Sequence, residues 1–408
     1  MNLYHKIFKE YWNPYVAIGI AGLLSALYFG ITGTVWAVTG EFTRLGGHVL
    51  QWFGVDVSKW AYFELIGING SPLNRTDGWI VIGMLVGALM MILLSSSFKI
   101  RIPNQKRRLV QGFIGGIIAG FGARLAMGCN LAAFFTGVPQ FSFHAWIFMI
   151  MTAVGTFFGV KVVNTRWWLG KPNLQSSKGK RSMKRKKIKN SNIQPVLGWL
   201  LACVYAGIIV YFLATGKNLL AVGALAGAFF GILIERGQIC FTSAFRDLWI
   251  SGRAIMSKAI AVGMIISVVV TFIFIQAGST QIIKIAAPST IIGGLLFGFG
   301  IVLAGGCETG MMYRAMEGQV LFLIVGAGNI VGATLLSYGW DHFGIFNTLA
   351  AGWPQVNLIT EWGPTGALIG TLIMLVLWFL FSNWWEKRFR YGTGIKHEQT
   401  KHITIKEV

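Results

Sequence analysis

Long apolar runs recur along the whole chain, each close to the ~20 residues a helix needs to cross ~30 Å of hydrocarbon. They fall at about 14–38, 78–98, 110–128, 142–163, 195–214, 219–235, 255–277, 288–306, 319–338 and 363–383. In a bilayer every backbone N–H and C=O must find a partner inside the protein, which leaves helices and closed barrels as spanning structures. Runs of this length select helices. Composition agrees: 54% of the 408 residues are hydrophobic and 12% are charged, against about 25% charged in a typical soluble domain. The sequence predicts an all-α polytopic membrane protein with about ten spans. The first run is longer than a signal-peptide core and no A-x-A-like site follows it, so it is expected to remain as the first helix.

The net charge of +21 invites a nucleic-acid reading, and its distribution argues against one. Residues 161–190 hold 11 of the 35 Lys and Arg and no Asp or Glu. Their most basic part, KPNLQSSKGKRSMKRKKIKN (171–190), has no aromatic residue to stack on a base, and membrane spans flank it. A cytoplasmic loop obeying the positive-inside rule is the simpler account, with anionic lipid headgroups as its partner. Placing every basic segment inside requires an even number of spans and both termini in the cytoplasm. The organisation expected is an N-terminal half at 1–163, with an extra first helix and a non-cytoplasmic loop at 39–77. A basic linker at 164–194, a C-terminal half at 195–385 and a basic tail at 386–408 follow. The 39–77 loop holds Trp52, Phe53, Trp60, Tyr62 and Phe63, suited to the headgroup layer, and reads as a lid or a re-entrant amphipathic helix.

An internal repeat carries the functional signal. Residues 115–130 read GGIIAGFGARLAMGCN and residues 293–308 read GGLLFGFGIVLAGGCE, with 9 of 16 positions identical at an offset of 178 and no gaps. By the topology above, the first copy runs outward and the second inward, so the repeat is expected to be inverted, with the solute site near the midplane at broken helices. Gly128-Cys129 and Gly306-Cys307 are natural places for the break, because Gly tolerates unusual backbone angles. Cys129 lies 19 residues after Val110, about 28 Å along a straight helix. Its helix must therefore start outside the hydrocarbon, tilt, or bend inward. A weaker correspondence links GMLVGALM (83–90) to GALAGAFF (223–230), the latter running on to Cys240.

The chain has four cysteines, 129, 203, 240 and 307, none in C-x-x-C spacing. No zinc, iron–sulfur or heme motif and no Walker A sequence is present, so no cofactor is expected. Cys203 reads as a small buried hydrophobe. Cys129 and Cys307 should face each other across the repeat axis, and Cys240 stands just beyond the Glu235-Arg236 pair. A neutral S–H is a weak donor on a soft atom, suited to a soft anion containing sulfur or selenium. Asn130 is expected to cap a short helix after Cys129, and Glu308 or Thr309 one after Cys307; such N-termini also offer free N–H groups to an anion. Arg124 either attracts that anion or snorkels to the outer interface. Glu308 and Glu317 are expected to bridge to Arg314 or Arg236, and His144 to be interfacial.

The segments GFGARLAMGCN, ERGQICFTSAFRD and GFGIVLAGGCETG resemble the signature segments of the YeeE/YedE family of inner-membrane proteins, over roughly residues 78–340. The long 39–77 loop and the basic insertion are most similar to the YedE branch, which is associated with selenium metabolism. The YeeE branch takes up thiosulfate through an hourglass-shaped protein whose cysteines pass the ion along by transient S–H hydrogen bonds. The resemblance implies import of a small inorganic anion past Cys129, Cys240 and Cys307, and a link to small cytoplasmic sulfur-carrier proteins. The lack of a cysteine at 98–101 and the presence of Arg124 point to a substrate other than thiosulfate itself. A membrane thiol oxidoreductase or sulfur transferase, and a sensor or scaffold subunit, stay open as alternatives.

Overall fold

The computed structural model describes residues 4–170 and 193–392. The basic stretch 171–190 and the tail beyond 392 lie outside the described residues. In chain order the helices are α1 (Pro14–Thr32), α2 (Thr39–Trp52), α3 (Ala61–Ile66), α4 (Thr76–Leu94), α5 (Lys106–Leu125), α6 (Asn130–Ala132), α7 (Phe143–Val163), α8 (Arg166–Leu169), α9 (Ile193–Ala214), α10 (Asn218–Arg236), α11 (Phe241–Ser251), α12 (Ile255–Gln276), α13 (Pro288–Ala304), α14 (Glu308–Met316), α15 (Val320–His342), α16 (Ile345–Leu349) and α17 (Leu358–Gly392). Among the described residues, ten helical segments are long and apolar enough to cross a membrane: those built on α1, α4, α5, α7, α9, α10, α12, α13, α15 and α17. Among the described residues there is no strand, only three isolated bridges. The protein is all-α and polytopic.

The first span is shorter than the sequence implied. Asn13 accepts from the Tyr15 N–H at 2.9 Å and Pro14 opens the helix, both normal start signals. Gly33 ends it at φ 66. Residues 33–38 then turn into the protein instead of continuing the span. Trp36 stacks on Phe230 at 3.6 Å and donates its indole N–H to Met84 Sδ at 3.4 Å.

Glycines set the helix packing. A Cβ built at Gly120 would lie 2.1 Å from the Asn329 carbonyl, and one at Gly298 would lie 2.2 Å from the Thr152 carbonyl. Backbones therefore touch where α5 meets α15 and where α13 meets α7, as small residues allow between membrane helices. The contacts come in matched pairs. Gly115 abuts Ala304 and Gly293 abuts Ala126; Gly122 abuts Phe297 and Gly300 abuts Ala119. Partner numbers fall along α13 as they rise along α5, so these two helices run antiparallel. Along α4 and α10 they rise together, Gly83 meeting Ala224 and Gly87 meeting Ala228, so that pair is parallel. The weak 83–90/223–230 similarity thus lies on two helices that touch.

One face of the protein carries α2, α3 and α16, joined where the Ala61 N–H meets Asp341 Oδ2 at 3.2 Å and where Tyr62 packs edge-on against Trp340 at 5.3 Å. We call this the lid face. Trp52 and Phe53 are exposed on it, as headgroup-layer aromatics would be. The opposite face is closed by Lys99 and Arg101 N–H groups bonded to the Glu317 and Gly318 carbonyls, and by the Trp12 N–H on the Arg236 carbonyl. Helix α9 packs loosely on the outside. Val196, Leu200, Val204 and Leu213 are exposed along it, and Cys203 is exposed too. Cys203 is not the buried residue expected; it lies on a surface suited to lipid.

Candidate functional site

Three helices break at a cysteine. After α5, Met127 takes φ 54, Cys129 is extended, and α6 starts at Asn130. After α13, Gly305 takes φ 86, Cys307 is extended, and α14 starts at Glu308. After α10, Gln238 takes φ 49, Cys240 is extended, and α11 starts at Phe241. Each cysteine is thus the residue just before a new helix. The first amides of that helix have no partner within it. After α4 the chain breaks at Ser96, φ 60, with no cysteine at the break; the Ser95 and Ser97 hydroxyls lie 2.6 Å apart, and no short helix follows.

The segment after Cys129 returns toward the protein's middle. A π-helical turn over Ala133–Gly137 continues α6. The Phe135 carbonyl accepts from Ser25 of α1 at 2.9 Å and from Ser267 of α12 at 3.2 Å. The Cys129 helix starts at Lys106, four residues before Val110, and the chain bends back after the cysteine. Phe134 and Phe135 then pack against Phe241, next to Cys240, with ring centres 5.3 and 5.8 Å away. Cys129, Cys240 and Cys307 are 0, 1 and 2% exposed and belong to one apolar cluster with these rings. The rings that follow the Cys129 break thus reach the one beside Cys240.

Cys240 Sγ and Cys307 Sγ lie 4.0 Å apart, and Cys307 Sγ meets Thr309 Oγ1 at 2.9 Å. A Cβ built at Gly310 would come within 2.7 Å of Cys240 Sγ, so this glycine keeps room for the thiol pair. Sequence reasoning missed Gly310. Its signal was the E-T-G run directly after Cys307. Gly306 has the Phe322 ring 2.9 Å from its own built Cβ, so the break packs closely on α15.

Several polar residues differ from expectation. Asn130 is not a cap; Cys129 holds that position without a side-chain bond. Asn130 is 2% exposed, and neither its Oδ1 nor its Nδ2 has a protein partner. Glu308 is the first residue of α14 rather than its cap. Its carboxylate meets Asn329 Nδ2 at 3.3 Å, not Arg314 or Arg236. Glu317 accepts from Gln319 at 2.7 Å and pairs with Arg101 at 3.7 Å. Arg314 donates to the Gly305 carbonyl at 3.1 Å, and Arg236 pairs with its neighbour Glu235. The expected bridges fail because α14 points its arginine back at its own break, while Arg236 is taken by the residue beside it.

Arg124 does not snorkel. It is 6% exposed, donates to Thr39 Oγ1 of α2 at 3.0 Å, lies over the Tyr62 ring at 5.9 Å, and leaves Nε without a partner. His144 is 2% exposed rather than interfacial, with Nε2 2.6 Å from the Ala126 carbonyl. A built Cβ at Gly128 would lie 3.6 Å from Lys284 Nζ and 3.9 Å from His144 Cε1. Lys284 was not anticipated, although it is the one charged residue between Lys258 and Glu308. No group of three or more His, Cys, Asp or Glu that suits a metal occurs among the described residues.

Comparison with known proteins follows the same segments. A family profile described as Sulphur transport matches residues 1–158 and 236–408. The chain is 49% identical over 387 residues to "Probable transporter YedE" of Escherichia coli (strain K12), covering 94% of this chain and 95% of that protein. It is 30% identical over 197 residues to "Thiosulfate transporter TsuA" of the same organism, covering 43% of this chain and 52% of that one. A TsuA of Spirochaeta thermophila is 39% identical over 98 residues, 24% of this chain and 30% of its own.

Proposed function

Because the chain belongs to the sulphur transport family, we propose that it imports a small sulfur- or selenium-containing anion across the bacterial inner membrane, past Cys129, Cys240 and Cys307. The observation that carries this is the convergence of three helix breaks, each with an extended cysteine ahead of helix-start amides, on one buried cluster. The amides favour the anion's charge. The thiols offer soft, weak donors that hold it without trapping it. Rings of Phe134, Phe135 and Phe241 close the route between the two cysteine sites, so passage needs them to move.

The matched contacts of α5 with α13, α5 with α15 and α13 with α7 support an inverted repeat, because a two-fold axis in the membrane plane exchanges α5 with α13 and turns the α5–α15 contact into the α13–α7 one. The basic loops support a cytoplasmic position for the α11/α14 end of the pathway and for both termini. A sulfur-carrier protein meeting that face is part of the same reading. The lack of a cysteine at 98–101 and Arg124 near the Cys129 break favour a substrate other than thiosulfate, a selenium species among them.

Uptake of labelled thiosulfate, selenite and sulfate into proteoliposomes tests the reading. One ion should enter with the wild type and fail to enter with Cys129→Ala and with Cys307→Ala. Unchanged uptake in both variants would reduce the cysteines to packing.

A second reading has its own observation. Two free thiols 4.0 Å apart suit a thiol–disulfide oxidoreductase or a sulfur transferase. It requires Cys240 or Cys307 to be trapped as a disulfide or persulfide during turnover, which mass spectrometry of the cycling protein would show. A sensor or scaffold subunit would show no uptake.

A further inference from the structure

We propose that Lys284 and Arg124 form a docking site for a small oxyanion at the lid-face end of the pathway, from which the anion passes to Cys129. This inference rests on the transport reading above and adds where the substrate is first held.

The loop between α12 and α13 is fastened so that Lys284 meets the α5 break. Gln281 Nε2 donates to the Gln140 carbonyl at 2.8 Å, and the Ile282 N–H donates to Gln140 Oε1 at 2.6 Å. The Lys284 N–H points at Ser142 Oγ at 3.4 Å, and the Ala286 N–H bonds the Pro354 carbonyl at 3.0 Å. The side chain, half-buried, donates from Nζ to the Met127 carbonyl. Gly128 leaves the space beside Nζ open, since any Cβ there would sit 3.6 Å from it.

Neither cation has an ion-pair partner, although Glu308 is near enough to Arg124 for their charges to interact. The other lid-face arginines have one: Arg44 pairs with Glu41 at 2.5 Å and Arg75 pairs with Glu41 at 3.1 Å. Among the described residues no carboxylate lies at ion-pair distance from Lys284 or Arg124. Arg124 keeps its buried Nε unpartnered, and both side-chain polar atoms of the buried Asn130 are unpartnered as well. Two poorly hydrated cations near each other raise the energy of the site, and an anion between them relieves it. An oxyanion with one soft terminal atom fits both ends: its oxygens suit Lys284 and Arg124, and its sulfur or selenium suits the Cys129 thiol.

Crowding leaves a mark that can be read in solution. Burial and then the charge of Arg124 push the Lys284 ammonium down to about 8, with Cys129 opposing. The lysine is charged below that value and neutral above it, so anion docking is present at pH 7 and lost as the pH rises to 9. The other groups facing Nζ are Arg124, a fixed charge, the Cys129 thiol, and the His144 imidazole on α7. All three stay in place in Lys284→Arg.

The test is calorimetric titration of thiosulfate and selenosulfate into the full-length protein in detergent, paired with proteoliposome uptake. Wild type should bind one of these ions at pH 7. Lys284→Met should weaken binding about tenfold or more, the range for losing a hydrogen bond to a charged group, and should raise the half-saturating concentration for uptake at an unchanged maximal rate. Wild-type affinity should fall between pH 7 and 9, whereas Lys284→Arg should bind with little change over that range. Wild-type affinity in Lys284→Met, or a wild-type pH profile in Lys284→Arg, overturns the site. Lysine-dependent binding without uptake of any ion keeps the site and sinks the transport reading.

Discussion

Cys240 and Cys307 show how much a single residue's surroundings decide. Their sulfurs are 4.0 Å apart, too far for a bond of about 2.05 Å and close enough that small side-chain rotations would join them. A mild thiol oxidant, taking two electrons and two protons from the pair, should block uptake reversibly in wild type and yield a Cys240–Cys307 disulfide seen by mass spectrometry; inhibition without that disulfide would show that oxidation acts elsewhere. Gly310→Ala is expected to cut uptake strongly while the protein still folds, because its methyl would press on Cys240 Sγ. Uptake equal to wild type would mean that the thiols have slack. Arg236 and Glu235 are a structural contrast. Both are 1% exposed, and Arg236 also holds the Phe8 carbonyl at 2.6 Å. Arg236→Ala strands a buried carboxylate and should cost about 3–5 kcal/mol, read as a lower unfolding temperature in detergent.

At the scale of elements, the glycines divide into those that seat a neighbouring backbone and those that do not. A side chain at Gly298 would run into the Thr152 carbonyl, whereas nothing lies within 4 Å of a Cβ built at Gly207. Both glycines are inside helices, so the change in helix propensity is the same for both. Gly298→Val should lose about 1–3 kcal/mol to overpacking, and Gly207→Val should stay within about 0.5 kcal/mol. Thermal melts of the two variants compare them directly, and equal losses would refute close packing of α13 on α7. Trp36 belongs to this scale as well. The 14–38 run is apolar throughout, and hydropathy gave no reason to end the helix at Thr32. What turns residues 33–38 inward is the Phe230 ring and Met84 sulfur waiting more than 40 residues further along the chain.

For the molecule as a whole, the breaks open toward different faces. α5 and α13 run antiparallel, so Cys129 and Cys307 follow helices that end on opposite sides. A membrane-impermeant thiol reagent should therefore label Phe53→Cys from the lid face only and Ile100→Cys from the other face only, both positions being exposed, in variants lacking the native cysteines and assayed in right-side-out and inverted vesicles. Labelling of both from one side would overturn the topology assigned to the basic loops. The same experiment places the termini.

Sequence pattern alone accounts for the long helices and for two of the breaks. Apolar length, glycine frames and cysteine position are local properties, and the backbone responds to them locally: ten membrane-length helices form among the described residues, and breaks come at Cys129 and Cys307, whereas the matching break at Cys240 was visible only in the fold. Tertiary structure decided the partners. Asn130 reads as a cap in sequence, yet stands bare within the fold. Glu308 reads as half of an ion pair, yet meets an amide 21 residues away on α15. Lys284 reads as one cation in a loop, yet lies beside Cys129, 155 positions earlier in the chain. Local pattern fixes φ and ψ over a few residues. A side chain's partner depends on which distant helices the glycine contacts bring together, and that is a property of the packed molecule.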